Sequence, residues 1–325
     1  MRAFDYRRVP DVAAATEAAQ DTEASYIAGG TNLVDLMKLE VATPARLVDI
    51  SRLPLDRISP TDDGGLRIGA MVSNSDLAAD MQVRRHFPLL ARAILAGASG
   101  QIRNKASVGG NLLQRTRCAW FQDIAAACNK RAPGTGCAAQ DGPNRMNAVL
   151  GVSDHCIAAH PSDMAVALRA LDAQVEVTAA DGSARRVRMD DFYRLPGDTP
   201  QIETCLAQGD LVTAVILPPP LGETQVYRKI RDRASYAFAL VSVAATLRME
   251  EGKIAAVRLA FGGVAPRPWN DAAVELLLTG KPPSEDLFAR AGQALVAKAV
   301  GHGGNDFKIP MLQRLLSGVL REVCA

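Results

Sequence analysis

Residues 107–137 read SVGGNLLQRTRCAWFQDIAAACNKRAPGTGC, a glycine turn that runs without pause into a stretch holding three cysteines, with a fourth at Cys156. The first five residues continue Ala106 into ASVGGN, a short loop whose glycines let backbone amides approach an anion. An earlier loop, AGGTNL at residues 28–33, has the same character. It follows an apolar strand and precedes a helix, and Thr31 and Asn32 add side-chain donors. Neither loop is the GxGxxG of a Rossmann turn or a Walker loop ending in GKS or GKT, so those nucleotide folds lose support. Each loop alone also reads as a tight strand-to-helix turn. Between Gly97 and Arg117 the basic residues Arg103, Lys105, Arg115 and Arg117 have no acidic company, and two glycine turns beside such a segment suit a diphosphate.

Around these loops the pattern alternates. Apolar spacing predicts a helix over Val12 to Ala19, a strand at SYIAGG, a helix at LVDLMKLE and strands at RLVDI and GLRIGA. HPSDMAVAL at 160–168 puts Ser162 and Asp163 at a helix start, where they serve as N-cap residues or hold the hydroxyls of a ribose or ribityl chain. Three prolines at 218–220 cannot continue a ladder or helix and mark a division after Gly222. Beyond it, residues 224–250 and 253–265 read as paired strands, and residues 307–325 as a closing amphipathic helix. The expected class is α+β, in two domains of residues 1–222 and 223–325.

With 325 residues and a net charge of +2, the chain is long enough for two or three cores and lacks the basic blocks of a nucleic-acid binder. No stretch approaches the roughly 20 apolar residues of a membrane helix, and the N-terminus lacks an apolar signal region. A soluble chain without membrane insertion is expected.

Cys118, Cys128, Cys137 and Cys156 fall in the one stretch where periodicity fails, with gaps of nine, eight and eighteen residues, while Cys205 and Cys324 lie elsewhere. Four thiolates suit tetrahedral zinc or an iron-sulfur cluster. Zinc sites usually draw on close CxxC pairs, and wide spacing suits a cubane, whose four irons each take one thiolate. The spacing decides between neither these nor unligated cysteines. His155 and His160 could replace a thiol ligand.

Five segments together carry a family resemblance: AGGTNLVDLMK at 28–38, SVGGNLL at 107–113, SDMAVAL at 162–168, DDFY at 190–193 and YRKIRDRASYAFALVSVA at 227–244. In this order and at these separations they resemble the FAD-binding subunits of the xanthine dehydrogenase family of molybdenum hydroxylases, over nearly the whole chain. The 50 residues between Asn111 and Ser162 exceed the family's usual span, and this insertion, residues 118–158, carries the four cysteines. In that it resembles family members with an additional 4Fe-4S cluster, namely the flavin subunits of bacterial periplasmic aldehyde oxidoreductases and, more distantly, of 4-hydroxybenzoyl-CoA reductases.

The resemblance implies a two-lobed FAD-binding domain of the vanillyl-alcohol-oxidase type, followed by a small domain of three strands and helices like that of carbon monoxide dehydrogenase flavoproteins. It implies FAD held by Ala28, Gly29, Gly30, Thr31, Asn32 and Leu33 at the pyrophosphate, with Ser107, Gly110, Asn111 and Leu113 as a second wall. Ser162 and Asp163 would hold the hydroxyl-bearing chain, and Lys229 would approach the flavin ring; the residues alone also allow Lys229, Arg231 and Arg233 to be a solvated strand face. Cys118, Cys128, Cys137 and Cys156 would hold the cluster. No general acid, base or nucleophile is implied on this chain.

The implied partners are a large subunit with the molybdenum cofactor and a small subunit with two 2Fe-2S clusters, in a heterotrimer that oxidises aldehydes and sends electrons outward through FAD. Where NAD-using relatives carry acidic residues after the arginine-rich motif, this chain has Ala234, Ser235 and Tyr236. Tyr236 or a neighbour is expected to cover the flavin, leaving ferredoxin, a cytochrome, a quinone or oxygen as acceptor. A partner bearing a twin-arginine signal would carry the chain to the periplasm; without one it would stay cytoplasmic. Two other readings are the flavin subunit of a hydroxybenzoyl-CoA-reductase-like enzyme and a zinc-stapled nucleotide-binding scaffold module.

Overall fold

The computed structural model describes residues 1–220 and 224–325, so the division drawn after Gly222 lies outside the described residues. Eleven described strands form three sheets. In the first, β1 (Asp5–Arg8), β2 (Ala24–Ile27) and β3 (Arg46–Asp49) are parallel in the order β1-β3-β2. Parallel pairing needs a crossover, which the helix Val12–Ala18 supplies between β1 and β2, starting at Asp11, whose carboxylate accepts from the Ala14 amide. The helix Leu33–Lys38 fills the same role before β3.

The second sheet is antiparallel in the order β4-β5-β8-β6-β7, from β4 (Ile58–Pro60), β5 (Leu66–Gly69), β6 (Gln174–Thr178), β7 (Ala184–Arg188) and β8 (Leu211–Leu217). Every residue of β8 is buried, as a central strand covered on both faces should be, whereas β7 at the edge is mostly exposed and basic. The third sheet pairs β9 (Thr224–Ile230), β10 (Val241–Glu250) and β11 (Lys253–Gly262) antiparallel about β10. The helices Glu285–Val296 and Lys308–Cys324 pack on it and bury Leu287, Phe288, Leu312, Leu316 and Leu320.

The helix Asp163–Ala170 is buried at every residue. Its sequence DMAVALRA is largely apolar because β10 and β11 cover one side and the helices Pro88–Ala96 and Val108–Leu112 cover others, in a core that also holds Val175 and Val215. The one basic residue, Arg169, is paired with Asp190 of the DDFY segment. A polar side chain buried there has to be partnered, and this pairing fixes the helix against residues 189–193. No described helix is long and apolar enough to cross a membrane.

The two-lobed α+β arrangement with a closing three-stranded domain is the one expected. Boundaries moved slightly: the strand expected at SYIAGG is Ala24–Ile27, because Gly30 turns the chain with φ of +72°. Within the insertion the described chain has one short helix, Ala119–Gln122, and otherwise turns and isolated bridges.

Candidate functional site

The two glycine loops meet edge to edge. A Cβ on Gly29 would sit 1.8 Å from the Lys105 carbonyl oxygen, and one on Gly109 would sit 3.1 Å from the Ala70 methyl. These two glycines exist so that backbones can touch. Gly110 differs, since a Cβ there would meet only Ser107 Oγ at 3.0 Å. Its open side faces a cavity of about 420 Å³ lined by Ala28, Gly29, Gly30, Thr31, Asn32, Leu33, Ser107, Gly110 and Leu113. Nine of the residues expected to bind cofactor therefore line one space.

Local hydrogen bonds shape it. Ser107 Oγ accepts from the Gly110 amide at 3.2 Å, and Asn32 Oδ1 accepts from the Arg115 amide at 2.8 Å, tying the first loop to the exit of the second. The Tyr193 hydroxyl donates to the Leu112 carbonyl at 2.9 Å, which assigns the DDFY segment a bracing role beneath the second loop. Residues 206–212 complete the cavity and were missed from sequence. Their signal is the turn before β8, where Asp210 accepts from the Ala207 amide and holds Arg185, and where the Gly209 carbonyl receives the Tyr26 hydroxyl.

The basic segment does not serve as expected. Arg115 is paired with Glu203 at 2.7 Å, Arg103 donates to the Gly97 and Ala98 carbonyls, and Arg117 donates to the Arg115 carbonyl while stacking on Phe238. These guanidiniums hold chain segments together, so backbone amides, the Thr31 and Asn32 side chains and the exposed Lys105 are the donors left for an anion.

Asn111 links this cavity to a second. Its Oδ1 receives the Ser162 hydroxyl at 2.6 Å, and Ser162 caps the buried helix by accepting from the Ala165 amide. The second cavity, about 150 Å³, is lined by Thr116, Arg117, Ser162, Asp163, Phe238 and neighbours. Asp163 and Lys229, expected to act separately, form one buried unit: Lys229 Nζ donates to Asp163 Oδ2 at 2.7 Å and to the Ala96 carbonyl at 3.1 Å, and the Tyr227 hydroxyl donates to Asp163 Oδ1 at 2.5 Å. Burial, then the facing Asp163, keeps the Tyr227 phenol protonated far above its ordinary range. Lys229 is thus not a solvated strand face; its side chain is 4% exposed.

Removing one partner of a buried pair strands the other. Lys229→Met is expected to lower stability by about 3–5 kcal/mol, and Lys229→Met with Asp163→Leu by less than Lys229→Met alone. Equilibrium denaturation midpoints check this; a double variant weaker than the single one would remove the coupling.

Tyr236 is also placed differently from expectation. It stands in the left-handed region at φ of +51°, half exposed, beneath the Arg233 guanidinium. Phe238, two residues on, lines the smaller cavity.

Cys118, Cys128, Cys137 and Cys156 line a third, small void together with Asn147 and His155. All are free thiols, and three are buried. Asn129 folds the loop that brings Cys128 back to Cys137, because its Oδ1 accepts from the Gly134 and Gly136 amides, both glycines having positive φ. Arg131 gathers the carbonyls of Trp120, Phe121 and Ala126. Burial raises the Cys156 thiol to about 11 and Cys137 above its ordinary value. His155 lies at this void but faces Asp198, while His160 lies at the second cavity with Nδ1 accepting from the Ser162 amide. Burial pushes the His160 imidazole down to about 4, which keeps it neutral. Among the described residues, no three His, Cys, Asp or Glu side chains converge as the ligands of one ion.

The comparisons with known proteins agree with this geometry. Residues 2–220 match the FAD binding domain in molybdopterin dehydrogenase, and residues 225–323 the CO dehydrogenase flavoprotein C-terminal domain. The chain is 53% identical to the aldehyde oxidoreductase FAD-binding subunit PaoB of Escherichia coli, covering 100% of this chain and 99% of that one. It is 29% identical to the glyceraldehyde dehydrogenase medium chain of Sulfolobus acidocaldarius over 80% of this chain and 75% of that one. In fold it resembles a chain of a crystallised Cu,Mo-CO dehydrogenase, with a TM-score of 0.77, 24% identity and coverage of 99% and 98%. Loops that approach through glycine, a cavity walled by them and a match over both domains lead to one conclusion: this chain belongs to the FAD-binding subunits of the molybdopterin dehydrogenase family, the molybdenum hydroxylases.

Proposed function

We propose that this chain carries FAD and a 4Fe-4S cluster in a molybdenum-dependent aldehyde oxidoreductase, receiving electrons from partner 2Fe-2S clusters and passing them to an acceptor other than NAD. The observation that carries the reading is the gathering of four free thiols at one void beside the flavin cavities, in a chain 53% identical to an aldehyde oxidoreductase FAD-binding subunit. The donor set fits a four-iron cluster: four cysteine sulfurs line one void, one for each iron. Donors also reach the sulfurs, with the Asn147 amide 3.4 Å from Cys118 Sγ and the Ala158 N–H 3.5 Å from Cys156 Sγ.

When bound, the flavin supplies one- and two-electron chemistry and the cluster one-electron chemistry. The chain's own residues bind and orient. Residues 28–33, with Ser107, Gly110, Asn111 and Leu113, would hold the pyrophosphate by backbone and side-chain donors. Ser162 and Asp163 would meet the hydroxyl-bearing chain, with Asp163 fixed by Tyr227 and Lys229. Phe238, backed by Arg117 at 5.2 Å, would cover the ring site and disfavour nicotinamide stacking, which supports a ferredoxin, cytochrome, quinone or oxygen as acceptor. A large molybdenum-cofactor subunit and a small subunit with two 2Fe-2S clusters are the proposed partners.

The test is an absorption spectrum of anaerobically purified protein with flavin, iron, sulfide and zinc quantified. About one FAD and about four irons per chain are expected. Zinc in place of iron, or FAD with no iron in protein never exposed to air, would remove the cluster from the reading.

A further inference from the structure

The thiol void and the smaller cavity share a wall made of Cys118 and Asn147, which line both. Asn147 is 4% exposed, and its Nδ2 donates to Cys118 Sγ at 3.4 Å. Behind it stands Lys308, the first residue of the closing helix and 0% exposed. Lys308 Nζ donates to the Asn147 carbonyl at 2.9 Å and the Gly263 carbonyl at 2.7 Å. Gly263 lines the smaller cavity too.

Both of these acceptors of Lys308 are carbonyls, and burial, then the charge of Arg145, pushes its ammonium down to about 7. Every other buried lysine has a carboxylate: Lys130 has Glu203 and Lys229 has Asp163. A buried cation without a partner is costly unless negative charge stands nearby. The four cysteines at the thiol void would provide that charge as thiolate ligands of a bound cluster.

We propose that Lys308 and Asn147 set the reduction potential of the cluster held at Cys118, Lys308 as its buried countercharge and Asn147 as the positioning residue that presents an N–H to Cys118 Sγ. This rests on the 4Fe-4S reading given above. Reduction would add one electron to the thiolate-bound centre, so a buried ammonium and a hydrogen bond at a ligand sulfur would stabilise the reduced form more than the oxidised one. Their removal lowers the potential. The hydrogen bond is local to one sulfur, so the flavin should be affected far less.

The test is a mediator-poised anaerobic titration of the intact complex, read by electron paramagnetic resonance, on the parent, Asn147→Ala, Asn147→Asp and Lys308→Met. Asn147→Ala is expected to shift the cluster's reduction equilibrium about tenfold toward the oxidised form, about 59 mV for one electron. Asn147→Asp should lie lower still, since a carboxylate replaces the donor, and Lys308→Met should move in the same direction. Iron and FAD content should match the parent. Variants with parental iron and an unchanged potential would overturn this inference and leave the cluster reading standing. A parent without iron would overturn both. Loss of iron from all three variants with FAD retained would mean that these residues only brace the loop, which also overturns it.

Discussion

Cys128→Ser is expected to strip the iron from this chain and leave its FAD in place. Cys128 lies at the thiol void and takes no part in the lining of the cavity of about 420 Å³ between the glycine loops. The two cavities have separate linings, so on the proposed reading losing one thiolate would remove a cluster ligand without touching a flavin contact. Serine is close to cysteine in size, and the backbone features that hold position 128 remain, namely the bridge to Cys137 and the amide bond to Thr135 Oγ1. The fold should survive the change. Iron should fall from about four per chain to under about one, while flavin absorbance stays at the parental level. Cys205→Ser is the control, because Cys205 packs at the edge of the main core away from the void and should keep all iron. Full iron retention in Cys128→Ser would sink the assignment of these cysteines.

Much of this arrangement is legible in the sequence because its signals are local. The helix Val12–Ala18 is announced by apolar spacing behind Asp11, and the buried helix Asp163–Ala170 by an apolar run behind Ser162. Glycine loops between a strand and a helix can be read for the same reason. Pairings over distance cannot. Leu66 meets Leu217 in the second sheet, and Lys229 meets Asp163 across 66 residues. Nothing near position 229 in the sequence marks Asp163 as its partner. Arg103, Arg115 and Arg117 show the same limit: clustering in sequence suggested an anion site, and each turned out to be used by neighbouring carbonyls or by Glu203. The insertion is the clearest case. Its cysteines converge through turns made by Asn129, Gly134 and Gly136 and through Trp120, whose ring leaves no room for a Cβ at Gly142. Such turns have no periodicity, so the number of cysteines was visible and their placement was not.

The glycines themselves separate packing from binding, and a pair of substitutions measures the difference. Gly29→Ala is expected to lose both flavin and stability. Its Cβ would stand 1.8 Å from the Lys105 carbonyl oxygen, which is backbone, so one of the two loops has to move and the cavity between them opens. Gly110→Leu is expected to lose flavin alone. At that position the nearest obstacle is Ser107 Oγ at 3.0 Å, the end of a side chain, and the remaining directions lead into the cavity. A leucine there occupies space that the cofactor needs without disturbing a buried contact. FAD affinity should fall at least about 100-fold, which corresponds to about 2.8 kcal/mol. The denaturation midpoint of the flavin-free protein should remain near that of the flavin-free parent, and iron content should be unchanged. Gly29→Ala should instead lower that midpoint together with flavin content. Retention of parental FAD affinity by Gly110→Leu would place the pyrophosphate elsewhere, and an undiminished midpoint in Gly29→Ala would mean that the two loops do not depend on each other's backbone. The three-way readout of flavin, iron and stability separates packing from binding, because the thiol void and the cavity between the loops share no lining residue.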